Sequence, residues 1–336
     1  MLILALLAAA QAAPAPTEVK TFGDWAVACD NLHACEATSL MPEDLSGDPS
    51  QVSITREGGP TGALAVEITP NADYRGSYRI EVDGKPVSSG TLTGPSLVVR
   101  GAAAGQLVDA MLKGQVLMAR AGDGKVLSQT SLKGISASLR YFDAGQGRAG
   151  TMTALVAKGP KPAGAVPAAP PAPRVTFVRP AGKPATFPAA LRSAMGKQSD
   201  CDSVYEGGVG EKPKVETWAL GGGKTLALIP CGSGAYNFST VPFVIEGGKA
   251  RVARFDQVPG WTEAEGIATL VNADWDPAKA ELGSYMKGRG IGDCGSSETY
   301  VWDGAMFRLI EARAMGECRG SNNWLRVWKA EAVPAR

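Results

Sequence analysis

The chain of 336 residues contains one histidine, His33, and that scarcity removes much chemistry at the outset. A Ser-His-Asp or Cys-His arrangement needs an imidazole held in a rigid shell, so histidine catalysis is not expected. Zinc sites bring close pairs of ligands, and no C-x-x-C occurs. No metal or other cofactor is therefore expected. An excess of one charge is also missing: 34 Lys and Arg stand against 33 Asp and Glu, a net charge of +1 with no basic run. Such a surface has no electrostatic footprint for nucleic acid or anionic lipid. No apolar stretch is long enough to span a bilayer, so no membrane span is expected after removal of a leader.

What the chain does have begins with "MLILALLAAAQAAPAP". Leu2 to Ala10 form an apolar run, and the Ala-Gln-Ala pattern after it suits cleavage behind Ala12 or Ala13. The expected location is the periplasm or the medium, although no Lys or Arg precedes the run. Six cysteines, Cys29, Cys35, Cys201, Cys231, Cys294 and Cys318, are an even number available for pairing in an oxidising compartment. Sequence alone does not choose among the connectivities. The simplest one joins neighbours, Cys29 to Cys35, Cys201 to Cys231 and Cys294 to Cys318, keeping each bridge within one half.

The halves meet at "KGPKPAGAVPAAPPAPR", where Pro and Ala leave neither helical nor strand periodicity. The expected organisation is a signal peptide and leader over 1–16, a β-rich domain over 17–157, a linker over 158–174, and a second β-rich domain over 175–336. A semi-extended linker of this kind predicts domains tethered at a modest distance in variable orientation. The fold class is mainly β with a few short helices, each domain stapled by disulfides. Alternation predicts strands in "WAVAC", "QVSITRE", "LAVEITP", "YRIEVDGKPV", "SLVVRG" and "VLMARAGDGKVLSQ", with hairpin turns at Asp83-Gly84 and Asp123-Gly124. Helical spacing appears in "GAAAGQLVDAMLKG", in "SLKGISASLRYFDAGQGRAG" with Ile135, Leu139 and Phe142 inward, and in "FPAALRSAMGKQSDC". After the linker, strands follow one another with Gly-rich turns, the pattern of an antiparallel meander.

Candidate motifs fail one by one. "ALGGGKTLAL" ends in Gly-Lys-Thr, but Trp218 occupies the place of the first phosphate-loop glycine. "NADWDPAKAELG" spaces Asn272, Asp274 and Asp276 as a calcium loop does, yet Pro277 and Gly283 replace its turn glycine and bidentate Glu. "CGSGAYN" lacks the first glycine of a nucleophile elbow. Two features remain as candidate binding elements. Six of seven tryptophans follow the linker, and exposed rings such as Trp302 could stack on sugars or anchor partners. "KGRGIGDCG" places Arg289 and Asp293 among four glycines beside Cys294, and Tyr236 belongs to "SGAYN". The binding surface is accordingly expected at Arg289, Asp293, Tyr236 and Trp302.

"FGDWAVACDN" with Cys-Glu-Ala following, "SLKGISASLRYFDAGQGRAGTMTAL", "CGSGAYN", "KGRGIGDCGSSETYVWDGAMFRLIEA" and "ECRG" together resemble a secreted proteobacterial family catalogued as a domain of unknown function. The resemblance spans nearly the whole chain after the leader, including all six cysteines. The first half is also similar to the invasion-associated locus B family, through Phe22, Asp24, Trp25, Cys29, the Asp83-Gly84 turn and the run Ser131 to Gly134. That resemblance implies a small, exported, β-rich unit linked to host-cell invasion, with no catalytic residues to carry over. It departs in having a whole second half.

The residues and the resemblance lead to the same expectation: an exported, non-enzymatic envelope or periplasmic binding protein, its partner an unknown protein or an envelope glycan. One alternative is a carboxylate-dependent hydrolase of cell-wall glycan using Asp274, Asp276 or Asp293. A lysozyme-inhibitor-like protein, suggested by "SGAYN", or a purely structural envelope protein are the others. The opening stretch "FGDWAVACDNLHACEA" is expected to be a strand whose Trp25 enters the first core, pinned by a tight Cys29–Cys35 loop with His33 on an exposed turn.

Overall fold

The computed structural model describes residues 13–44, 51–70, 73–202, 213–260 and 267–335. The apolar run Leu2 to Ala10 lies outside them, and so does Trp261. In the first half the elements are β1 (Lys20–Phe22), β2 (Trp25–Cys29), β3 (Cys35–Ser39), β4 (Gln51–Arg56), β5 (Leu64–Thr69), β6 (Gly76–Val82), β7 (Lys85–Leu92), β8 (Leu97–Arg100), α1 (Gly101–Met111), β9 (Val116–Ala121), β10 (Val126–Ser131) and α2 (Ile135–Gly145). They build two antiparallel sheets, in the orders β1-β2-β3-β4-β5-β8 and β10-β9-β6-β7. Asp83 and Gly84 both adopt positive φ, as the expected two-residue hairpin requires. Ile135, Leu139 and Phe142 line the buried stripe of α2.

The second half contains β11 (Arg174–Phe177), α3 (Ala189–Gln198), β12 (Glu216–Gly221), β13 (Lys224–Ser233), β14 (Phe238–Glu246), β15 (Lys249–Val252), β16 (Leu270–Val271), β17 (Asp274–Asp276), β18 (Glu281–Lys287), β19 (Gly295–Trp302), β20 (Phe307–Met315), β21 (Leu325–Lys329) and β22 (Glu331–Pro334). Two meanders result, β12-β13-β14-β15 with β16 on β14, and β17-β18-β19-β20-β21, while β11 and β22 pair in parallel. The protein is mainly β, and among the described residues no helix is long and apolar enough to cross a membrane. All three neighbour disulfides are present: Cys29–Cys35, Cys201–Cys231 and Cys294–Cys318.

The strand β2 explains how the halves meet. In "WAVAC" every residue is buried, so both faces of the strand are covered. Trp25, Val27 and Cys29 point into the core of the first half. Ala26 and Ala28, on the opposite face, join Leu40 in a core otherwise made of second-half residues such as Leu325 and Val327. Alternation of large and small side chains gives one face bulk and lets β21 approach the other.

Polar contacts reinforce that junction. Arg319 donates from Nη2 to Asp24 at 2.6 Å, from Nη1 to the Gly23 carbonyl at 2.8 Å and from Nε to the Met41 carbonyl at 2.8 Å. Asn31 and Lys329 exchange two bonds, and Asn323 donates to Glu36 at 2.7 Å.

Segment 158–174 differs from the expected spacer. Thr151 bridges Lys161, Val166 is 3 % exposed, and the Cα–Cβ direction of Gly58 faces the Ala169 methyl. Its proline-rich backbone lies in surface grooves left by Gly58 and Gly147, which have no side chains to fill them. Immediately afterwards β11 locks onto β22. The expected variable tether is therefore replaced by a strap laid along the first half, leading into a shared core.

Candidate functional site

The opening stretch is a clasp. Cys29 and Cys35 are opposite each other on β2 and β3, so the bridge crosses one ladder position. The Asp30 carboxylate, itself buried, organises the loop that the bridge closes: Oδ1 accepts from the Leu32 and Ala34 amides at 2.8 and 3.0 Å. Oδ2 accepts from Arg326 Nε at 2.7 Å, which ties the loop to β21. His33 takes the left-handed conformation, φ 59°, and is half-buried rather than exposed; its carbonyl accepts from Gln146. Its position serves the turn.

The run Phe22 to Trp25 has a matching physical reason. Trp25 Nε1 donates to the Ser131 carbonyl, the Ser131 hydroxyl donates to Asp24, and Gly134 sits so close to the Phe22 carbonyl that a Cβ would fall 1.8 Å from its oxygen. The runs Phe22 to Trp25 and Ser131 to Gly134 are thus halves of one contact.

The strongest candidate for contact with a partner is the loop between β18 and β19. Gly288 N donates to the Cys294 carbonyl at 2.7 Å, closing the loop at its base. Within it, Arg289 Nε donates to Asp293 Oδ1 at 2.7 Å, and the Gly320 amide donates to Asp293 Oδ2 at 2.6 Å. The Arg289 guanidinium bonded to Asp293 holds its carboxyl below the usual carboxylate range, despite burial. Gly292, at φ +72°, reverses the chain, and its carbonyl accepts from Trp324 Nε1 at 3.2 Å. The Cys294–Cys318 bridge anchors the end, with Gly288 near enough that a Cβ would meet the Cys294 sulfur at 2.6 Å.

Two tyrosines flank this loop. Tyr236 donates its hydroxyl to the Gly288 carbonyl at 3.1 Å, and the Tyr285 ring stacks on Trp324 at 4.5 Å. Asn237 and Asn272 fix the backbone beneath them. At the tip, Ile291 is 69 % exposed, and Tyr236 and Tyr285 are each 39 % exposed. The structure brings Arg289, Asp293 and Tyr236 together, with Asp293 buried and serving the scaffold.

Trp302 is a correction. It is fully buried against Phe307, with the Arg251 guanidinium over its ring, because the period of β19 turns it inward with Tyr300. The other described tryptophans of the second half are covered too: Trp275 and Trp324 are buried and Trp218 and Trp328 half-buried. Aspartates proposed for hydrolysis have separate engagements. Asp276 accepts from the Ala278 and Lys279 amides in a turn, and Asp274 is exposed on β17.

Sequence reasoning missed a buried acidic row. Ser296, Glu298 and Tyr300 share the inner face of β19, and Asp256 reaches the same region while accepting from the Leu309 amide. Burial pushes the carboxyls of Glu298 and Asp256 and the Tyr300 hydroxyl upward. Glu298 Oε1 accepts from Gly260 N, and among the described residues the Tyr300 hydroxyl has no hydrogen-bond partner. Among the described residues no group of His, Cys, Asp and Glu could hold a metal ion.

The chain is 28 % identical to "Uncharacterized protein YpfG" of Escherichia coli strain K12, over 98 % of this chain and 97 % of that one. A solved structure, invasion associated protein b from Bartonella henselae, is 17 % identical and covers 38 % of this chain and 97 % of its own, with a TM-score of 0.29. The model of the family described as "Protein of unknown function (DUF1176)" matches residues 19–331, which include the clasp, the junction and the β18–β19 loop, and the chain belongs to that family.

Proposed function

We propose that the protein is an exported envelope protein that acts by binding, and that the β18–β19 loop with Tyr236 is its contact surface. The observation that carries this reading is the contrast within the loop: Asp293, Gly292 and Cys294 are buried and bonded, whereas Ile291 projects 69 % exposed from their rigid frame. A locked backbone loses little entropy on association, and an exposed apolar tip gains by desolvation. Export is supported by the three disulfides, which persist in oxidising compartments, and by the apolar leader run. A convex apolar tip between two tyrosines and Arg289 suits a cleft in a protein partner better than the flat face of a sugar.

The test places a photo-crosslinking residue at position 291 in the full oxidised chain and exposes it to envelope extract. A discrete adduct, lost in Ile291→Asp and Tyr236→Ala chains that melt normally, is the expected result. Parallel sedimentation with peptidoglycan sacculi separates the other readings. Binding without release of fragments would move the partner from protein to glycan, and release of fragments would replace binding by hydrolysis.

A further inference from the structure

A second site lies in the first half, remote in sequence from the β18–β19 loop. The helix α1 and the β6–β7 hairpin enclose a half-open groove of about 400 Å³, lined by Val82, Val87 and Ala110 with Lys85, Lys113 and Asp109 on its rim. Its walls are fixed. The Asp83 carboxylate at the hairpin tip accepts from the Gln115 and Val116 amides, at 3.0 to 3.1 Å. Gly114 approaches so closely that a Cβ would fall 2.2 Å from a Val82 methyl. Opposite, the register of β6 and β7 shifts between Ile80 and Glu81, which leaves Val87 as the extra residue of a bulge and presents it to the groove.

The charges around this groove do not cancel. Asp83 is committed to backbone amides, and Asp109 is paired with Lys158 at 2.9 Å. Lys85 and Lys113 are exposed, and among the described residues neither has an acidic partner within ion-pair distance. An apolar floor beneath two uncommitted ammonium groups is complementary to a molecule with an apolar body and an anionic head. The volume lies in the range of small-molecule sites, and preformed walls favour a small ligand. We propose that this groove binds a small aliphatic carboxylate, its chain on Val82, Val87 and Ala110 and its head group at Lys85 and Lys113.

Isothermal titration of the full oxidised chain tests this with decanoate, decanol and decyltrimethylammonium, each below its micellar concentration. Saturable one-site binding of decanoate is expected, at least about tenfold tighter than either analogue. The Lys85→Glu/Lys113→Glu chain should weaken it about tenfold or more, and Ala110→Trp should abolish it by filling the floor. Both lysines are exposed, so the double variant should melt as the parent does even where Ala110→Trp fails to fold. Equal affinity for decanol, an unchanged affinity in the double variant, or capture of an apolar-ended peptide along β7 with no binding of decanoate would each overturn the proposal.

Discussion

The clasp loop at Asp30–Ala34 and the tip loop at Gly288–Asp293 are built from the same parts. Each has a buried aspartate, an arginine bonded to it, a residue at positive φ and an adjoining disulfide. They differ in where the arginine comes from. Arg326 reaches Asp30 from a strand nearly three hundred residues away, so the pair fastens one half to the other. Arg289 lies four positions from Asp293, so the pair fastens the loop to itself and leaves the tip free. The same chemistry makes a joint in one place and a presented surface in the other, and position in the fold decides which.

The comparison breaks most visibly at the junction. Asp30→Ala removes three accepted hydrogen bonds and leaves Arg326 unpaired beside a buried strand, so a loss of about 3 kcal/mol is expected in urea unfolding of the oxidised chain. Opening the tip bridge by Cys294→Ser/Cys318→Ser should cost about 3 kcal/mol and also abolish partner crosslinking, since the tip loses its anchor. The clasp bridge closes a shorter loop, so removing it by Cys29→Ser/Cys35→Ser should cost about 2 kcal/mol while leaving crosslinking intact. Overpacking the junction with Ala28→Leu should cost about 1–3 kcal/mol through the second core, although Ala28 belongs to the first half. At the small end, Ile291→Asp should shift stability by no more than about 0.5 kcal/mol and still lose the adduct.

Acidity gives a further way to sharpen the contrast. Burial raises the carboxyl of Glu298 above its ordinary value, so the folded state holds that proton more tightly than the unfolded chain. The resulting stability is present below the ordinary glutamate value and is lost as pH rises through the raised one. Asp293, held low mainly by Arg289, acts in the opposite sense: its contribution is present above the ordinary aspartate value and is lost on acidification through the lowered one. Melting curves should therefore show Glu298→Gln raising the midpoint near neutral pH with little effect in mild acid. Asp293→Asn should lower the midpoint at neutral pH and converge with the parent only in strong acid.

Much of the fold is legible in the sequence where the signal is local. Asp83-Gly84 announces its hairpin because only certain residues accept positive φ there, and Ile135, Leu139 and Phe142 announce α2 by spacing. The sequence leaves the disulfide connectivity open, and the observed bridges are the simplest of the choices, each between neighbours. What escaped is what depends on distant partners. β11 and β22 are short, and only their pairing across the ends of the second half makes them strands. Segment 158–174 reads as a tether because proline and alanine carry no periodicity, and the glycine grooves that hold it, at Gly58 and Gly147, precede it in the chain and look like ordinary turns.

The candidate site divides in the same way. Arg289 and Asp293 are recognisable as a pair, four residues apart among glycines, whereas the exposure of Ile291 and the flanking position of Tyr285 require knowledge of where β18 and Trp324 lie. Trp302 misleads because an aromatic residue near a Gly turn can face either way, and the phase of β19 decides. Glu298 gives no sequence signal of its burial, since a charged residue in an alternating strand ordinarily marks the wet face.

The two-faced strand β2 has a consequence for the order in which the molecule can assemble. Its outer face, Ala26 and Ala28, is covered by residues from β21, and Thr17 bonds to the carbonyl of Val327, 310 positions later. A chain emerging amino terminus first therefore completes the first sheet and its own core while one side of that sheet stays wet. Coverage waits until almost the last residue has appeared. Assembly of this kind couples the earliest strand to the latest one, so a chain truncated before Leu325 would keep an unfinished surface however long it was given to fold.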